Sequence, residues 1–146
     1  MPCVKVSQEI AASPQELYLV LSDMEKYPEF MPNLVRVTIL EKRKPITISQ
    51  WVSNVDGRMI CWTERDLFRE EIWRIEYEQI AGDLKRFQGA WQLCEQENGT
   101  LVELTVDFEF GIPMLAGLLH PLLKYKVKEN SQLMLAAVKK RLEGCN

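Results

Sequence analysis

The chain has one histidine, His120, and its four cysteines, Cys3, Cys61, Cys94 and Cys145, show no Cys-x-x-Cys spacing. A His/Cys metal cluster cannot be assembled from them, and neither a metal nor a cofactor is expected. A Ser/His/Asp set is equally out of reach. Reduced thiols in a cytoplasmic protein are the simplest account of the cysteines. The chain also lacks an N-terminal apolar run resembling a signal peptide, and no stretch is long enough to span a bilayer, so membrane insertion is not expected. Basic excess is missing too. Eighteen Lys and Arg face 21 Asp and Glu, a formal charge of −3, which gives no electrostatic reason to expect nucleic acid or an anionic membrane. There is no internal repeat or low-complexity linker. The 146 residues, 47% hydrophobic and 27% charged, suit one soluble domain with a sizeable core.

What the chain does have is a long amphipathic C-terminal stretch. From Leu122 to Gly144 no helix breaker intervenes. Leu123, Val127, Asn130, Met134, Val138 and Leu142 recur at steps of three or four, the spacing of one helical face. Lys124, Lys126, Lys128, Lys139, Lys140 and Arg141 lie mostly opposite. Pro121 fits the first turn, Gly144 fits a left-handed C-terminal cap, and the basic last turn complements the helix dipole. The predicted helix is about 22 residues, or roughly 33 Å. After a run of strands, such a helix must be covered along its length by a sheet. Asn130 interrupts the apolar stripe, and a buried amide needs hydrogen-bond partners or water. Two readings stand. The helix face rolls to solvent there or the amide is capped by a strand residue, or a cavity with polar contents lies beneath the helix.

The rest reads as strands and two short helices. Val4–Ile10 alternates. Ser13-Pro14-Gln15-Glu16 is a capping box opening a short helix, and 23–32, carrying Tyr27 and Phe30, is a second short helix or turn. Further strands are expected at Leu34–Leu40, Ile46–Val55, Arg58–Phe68, Glu71–Gln79, Leu84–Cys94 and Leu101–Phe110, with Asp56-Gly57 and Asn98-Gly99 as tight hairpin turns. In the last strand Val102, Leu104, Val106, Phe108 and Phe110 share one face and acidic residues and Thr105 the other, so the sheet is covered on one side only. The predicted class is α+β: one curved antiparallel sheet of six to seven strands around one long helix.

Such a sheet leaves a hollow against the helix. Trp73 and Tyr77 share a face of the fifth predicted strand, and Phe87 and Trp91 a face of the sixth. Gly89 lies between the last two, where a strand glycine marks a bend or a close approach by a ligand. These rings either fill the core or line a site. In the third strand Trp51 shares a face with Ser49 and Ser53, and either face could point inward. In the fourth, Met59, Cys61, Thr63, Arg65 and Leu67 form the more apolar face, which is therefore expected inward. Arg65 would then enter the hollow and could hold a carboxylate, carbonyl or enolate oxygen. The alternative puts Arg65 on the convex face, paired with an acid.

Several stretches together resemble one family: Ser13-Pro14 with its helix, Tyr27-Pro28-Glu29-Phe30, Trp62-Thr63-Glu64-Arg65, Phe87-Gln88-Gly89-Ala90-Trp91, Phe108-Glu109-Phe110 and Glu129-Asn130-Ser131. Their order and spacing are similar to those of the polyketide cyclase/dehydrase branch of the START-like (SRPBCC) superfamily, which includes bacterial aromatase/cyclases, coenzyme Q-binding proteins and a ribosome-association toxin. The resemblance implies the helix-grip fold and a deep apolar cavity between sheet and C-terminal helix. It implies a small hydrophobic ligand, lipid-, quinone- or polyketide-like, with Arg65, Thr63, Trp91 and Asn130 lining the cavity; the face reading adds Trp73, Tyr77, Phe87, Phe108, Met134 and Trp51 as ligand-binding candidates. If the chain is an aromatase/cyclase or dehydratase acting on a poly-β-ketone, the resemblance gives Arg65, Thr63 and Tyr27 the catalytic roles, with Tyr27 matching an aromatic near the mouth. A protein- or ribosome-interaction role, as in the toxin branch, is a further alternative. Those enzymes tend to carry a stretch like Trp-Thr-Ser-Glu-Arg. Here Trp62-Thr63-Glu64-Arg65 is one residue shorter and lacks the serine, which favours binding over catalysis.

Overall fold

The computed structural model describes residues 3–55, 57–109 and 120–144, with the side chains of 120–123 outside the description. In chain order these form β1 (Cys3–Ile10), α1 (Pro14–Ser22), a 3-10 turn (Met24–Glu29), β2 (Leu34–Arg43), β3 (Ile46–Val55), β4 (Arg58–Arg69), a second 3-10 turn (Glu70–Ile72), β5 (Arg74–Gly82), β6 (Arg86–Gln96), β7 (Gly99–Glu109) and α2 (His120–Glu143). Asp56, Phe110 and Cys145, which figure in the sequence reading, lie outside the described residues, as do the side chains of Pro121 and Leu123.

The capping box forms as expected. Ser13 Oγ accepts the Glu16 N–H at 3.2 Å, and the Glu16 carboxylate accepts the Ser13 N–H at 3.3 Å. This satisfies donors that the first helical turn leaves open, and α1 then buries Leu17, Tyr18 and Leu21. At the other end of the chain, Gly144 has φ of 78° and donates its N–H to the Lys140 carbonyl at 3.1 Å, closing α2.

The seven strands make one antiparallel sheet in the order β1-β7-β6-β5-β4-β3-β2. Only hairpin neighbours pair, except that β1 closes onto β7. Register shifts bend it. Two interrupt the β2–β3 ladder, and on β5 Ile80 has no partner opposite the step from Thr63 to Glu64. An extra residue of this kind kinks a strand and increases its twist. The buried faces of all strands look to the concave side, and α2 lies there against β1 and β7. Its buried side is Ser131, Leu135 and Val138, with Val127, Met134 and Leu142 half-buried. This is the helix-grip arrangement expected from the sequence.

Polar side chains fasten the helix to the rest of the fold. Glu143 accepts the Ala11 N–H at 2.9 Å. Arg141 pairs with Glu29 at 3.2 Å and sits 4.7 Å above the Phe30 ring. Asn130 Oδ1 accepts a hydrogen bond from Asn33 Nδ2 at 2.7 Å, and its own amide donates to Met134 Sδ at 3.8 Å. The break in the apolar stripe is thus a latch to the loop before β2.

Two expectations need correction. The fifth strand begins at Arg74, not Glu71, because Glu70–Ile72 winds into a 3-10 turn whose Glu70 carbonyl accepts the Trp73 N–H at 3.1 Å. Trp73 ends that turn in the left-handed region with φ of 56° and packs edge-on against Tyr18, so it does not share a strand face with Tyr77. Gly89 is not a place where only a ligand comes close. A Cβ there would lie 1.9 Å from the Thr105 carbonyl oxygen and 2.6 Å from the Tyr77 hydroxyl. Without a side chain at 89, that space is left to the Thr105 carbonyl oxygen and the Tyr77 hydroxyl, which donates to it at 2.8 Å. Gly89→Ala should therefore lower stability by about 1–3 kcal/mol, the usual range for overpacking. Equilibrium urea unfolding measures it, and an unchanged midpoint would contradict this account of the glycine.

A buried carboxyl pair in an aromatic layer

The alternation of β4 decides the character of the concave face. Ile60, Trp62, Glu64 and Asp66 are buried, while Cys61 and Arg65 are exposed. Arg65 faces the convex side, where its guanidinium meets Glu78, its cross-strand neighbour on β5, at 2.8 Å. The expectation of an inward Arg65 is thereby overturned. The apolar count of that face misled because Cys61, Thr63 and Leu67 are tolerated on a half-covered outer surface, whereas the inner face carries acids that are satisfied by neighbours. Thr63 shares the outer face with Arg65 and is half-buried. Neither reaches the concave side, and neither can act there.

Inside, β3 and β4 present two tryptophans and two carboxyls. Trp51 and Trp62 are cross-strand partners whose rings stack at 5.8 Å with 7° between planes. Trp62 Nε1–H donates to Glu64 Oε1 at 2.8 Å. Trp51 Nε1–H donates to Ser49 Oγ at 2.8 Å, and Ser49 Oγ–H donates to Asp66 Oδ2 at 2.5 Å. Each indole therefore holds one carboxyl, directly or through a serine. The face of β3 left open by the sequence is settled: Ser49, Trp51 and Ser53 point in. Glu64 is 3% exposed and Asp66 is fully buried. Asp66 Oδ1 has no hydrogen-bond partner.

Burial, with the neighbouring Asp66 second, pushes the Glu64 carboxyl well above the ordinary range. Burial also raises Asp66, opposed by the hydrogen bonds from Glu64 and Ser49. Two acids this close cannot both ionise cheaply, so one proton resides on Glu64 and is directed at Asp66. Neither carboxyl makes an ion pair among the described residues. Two tyrosines complete the surroundings. Tyr27 is fully buried, meets Trp51 and Trp91 edge-on at 5.5 and 6.4 Å, and donates its hydroxyl to the Leu21 carbonyl at 2.5 Å. Burial raises its pKa well above the usual value, helped by Asp66 and Glu64. It is thus inside the packed layer rather than at a mouth, with its proton engaged by backbone. Tyr77, opposite Asp66 in the β4–β5 register, lies 5.4 Å from Phe87, which lies 5.2 Å from Trp62. Phe108 is buried on β7 beside Phe87, its strand partner.

The structure thus brings Trp51, Tyr77, Phe87, Trp91 and Phe108 onto the concave face, with Tyr27 among them. It leaves Trp73 by α1, Asn130 and Met134 on the helix, and Arg65 and Thr63 outside. The sequence reading missed Glu64 and Asp66. Their signal was present: Trp62 inward forces positions 64 and 66 inward as well. Set on the pattern Trp-Thr-Ser-Glu-Arg without a gap, Glu64 stands at the serine and Asp66 at the arginine.

Residues 10–134 match the family described as polyketide cyclase/dehydrase and lipid transport, and the chain belongs to that family. No curated protein matches it. Among solved structures, a protein from Thermus thermophilus is similar over 97% of each chain, with 27% identity and a TM-score of 0.92. The Zhui aromatase/cyclase from Streptomyces sp. R1128 shares the fold at 24% identity and a TM-score of 0.86, over 97% of this chain and 93% of that one. A START superfamily protein from Mycobacterium smegmatis does so at 20% identity and 0.85, over 97% of both. Among the described residues no helix is long and apolar enough to cross a membrane, and no cluster of His, Cys, Asp or Glu could hold a metal ion.

The carboxyl pair has a consequence for stability. A folded carboxyl with a raised pKa binds more protons than the unfolded chain does, so stability falls as pH rises. The fall should begin near the ordinary carboxyl values, 3.8 for Asp66 and 4.5 for Glu64, and continue until the pair loses its shared proton. Below those values the contribution is fully present. Glu64→Gln keeps an acceptor for Trp62 and a donor for Asp66 and should flatten this slope. Denaturant midpoints across pH test it, and an identical slope in wild type and variant would show that Glu64 does not hold the proton.

Proposed function

We propose that the protein binds a small, largely apolar or aromatic molecule between the concave face of the sheet and α2, of lipid, quinone or polyketide type. The observation that carries this is the composition of the concave face: Trp51, Trp62, Phe87 and Tyr77 form a run of ring contacts that Tyr27 extends to Trp91, with Glu64, Asp66, Ser49 and Ser53 as the polar groups among them. Sites for small ligands are mostly apolar with a few placed polar groups. Family membership supports the reading, since lipid transport is one of the activities in the family's description. Titration with flat quinones and polyphenols should give a saturable change in tryptophan fluorescence. Arg65→Leu should leave that affinity unchanged, and its stability effect should stay within about 1 kcal/mol, as for exposed ion pairs. Absence of saturation across a varied panel would reduce the rings to ordinary core.

A second reading, a cyclase or dehydratase, is favoured by one feature. A protonated carboxyl beside an ionised one is an acid–base pair ready for proton transfer. On this reading Glu64 and Asp66 replace Arg65, Thr63 and Tyr27 as the candidates. Turnover of a poly-β-ketone analogue above the uncatalysed rate, lost in Glu64→Gln and kept in Arg65→Leu, would establish it. Turnover at the uncatalysed rate leaves the binder.

A further inference from the structure

The polar part of the ligand can be read from the charge of the layer. Asp66 is fully buried, its Oδ1 has no partner, and the nearest proton on the pair is the single one that Glu64 directs at it. With one proton shared between the two carboxyls, the pair holds one negative charge out of water. A buried charge without a partner is strongly unfavourable. The described surroundings supply hydroxyls and indole N–H groups, from Ser49 on β3, Trp62 on β4 and Trp51 through Ser49, but no Lys or Arg in an ion pair with either acid. Among the described residues, the other titratable groups that the pair acts on are Tyr27 of the first 3-10 turn and Tyr77 of β5. Burial raises both phenols, and both hydroxyls donate to backbone carbonyls, so neither changes charge in the pH range that matters. Trp51, Trp62, Phe87 and Tyr77 surround the pair as one run of ring contacts, and aromatic rings attract cations.

We propose that the ligand carries a basic nitrogen, bound as an ammonium against the Glu64–Asp66 pair with its apolar body on the aromatic surface. This rests on the chamber proposed above and specifies what enters it. An ammonium supplies the donor that Asp66 Oδ1 lacks and the charge that balances the pair, with no proton exchanged. A carboxylate or enolate ligand meets like charge instead. The balance holds only while Asp66 is ionised, so the preference fades as pH falls through its raised pKa.

Three probes of one shape decide the matter: naphthylethylamine, naphthylethanol and naphthylacetate, titrated into the wild-type chain by calorimetry and tryptophan fluorescence. The amine should bind roughly tenfold or more tightly than the alcohol, as expected for one charge-assisted hydrogen bond, and the acid should be weakest. The amine-to-alcohol ratio should decline toward one as pH is lowered. Asp66→Asn should collapse the ratio at neutral pH. Arg65→Leu is the control on the convex face. The wild-type pH series carries the test if a variant fails to fold. An alcohol or acid that binds as tightly as the amine overturns the inference and leaves the chamber. Binding by quinones and polyphenols but by none of the three probes does the same. Failure of every compound overturns both.

Discussion

Two carboxyl groups on one strand, pressed under two stacked indoles, govern the interior of this protein. β4 alternates, so once Trp62 turns inward Glu64 and Asp66 follow it. Water cannot solvate them there, and the chain answers with local donors: one indole on Glu64, and a second indole acting through Ser49 on Asp66. The stack of Trp51 on Trp62 does more than fill space, because it aims both N–H groups at side chains two residues away on their own strands. The polar residues and the aromatic layer are therefore one construction. Removing either indole would strip a donor from the buried polar network as well as leave a void.

The sheet and helix serve that construction in different ways. The unpaired Ile80 on β5 falls beside Glu64 and bends the sheet where the pair sits. The helix takes its place against β1 and β7, buries Leu135 and Val138 in the common core, and is held by polar fastenings at Asn33, Glu29 and Ala11. Tyr27 links the two regions, since it leaves a 3-10 turn yet packs between Trp51 and Trp91.

The architecture was legible in the chain because its signals are periodic. The clean alternation of β7, the capping box at Ser13 and the unbroken run ending at Gly144 each state an element and its buried side. The site was less legible for a physical reason. Choosing the inward face of β4 by apolar count assumes that acids avoid burial, and here the acids are buried because partners on β3 and on β4 itself meet them. Those partners are visible only once Thr47, Ser49 and Trp51 are known to face inward together. Trp73 misled differently: continued alternation into Tyr77 hid a left-handed residue that ends a 3-10 turn. Asn130 marked a real polar contact, but one between protein groups.

Gly89 also constrains how this chain can change over generations. The Thr105 carbonyl occupies the space of a Cβ at 89 because the Tyr77 hydroxyl draws it there. A lineage that acquires a side chain at 89 first meets backbone, an obstacle that a neighbouring rotamer cannot clear. The Tyr77 hydroxyl lies in the same space, so positions 77 and 89 are coupled: a side chain gained at 89 has to displace both the phenol and the carbonyl it is bonded to.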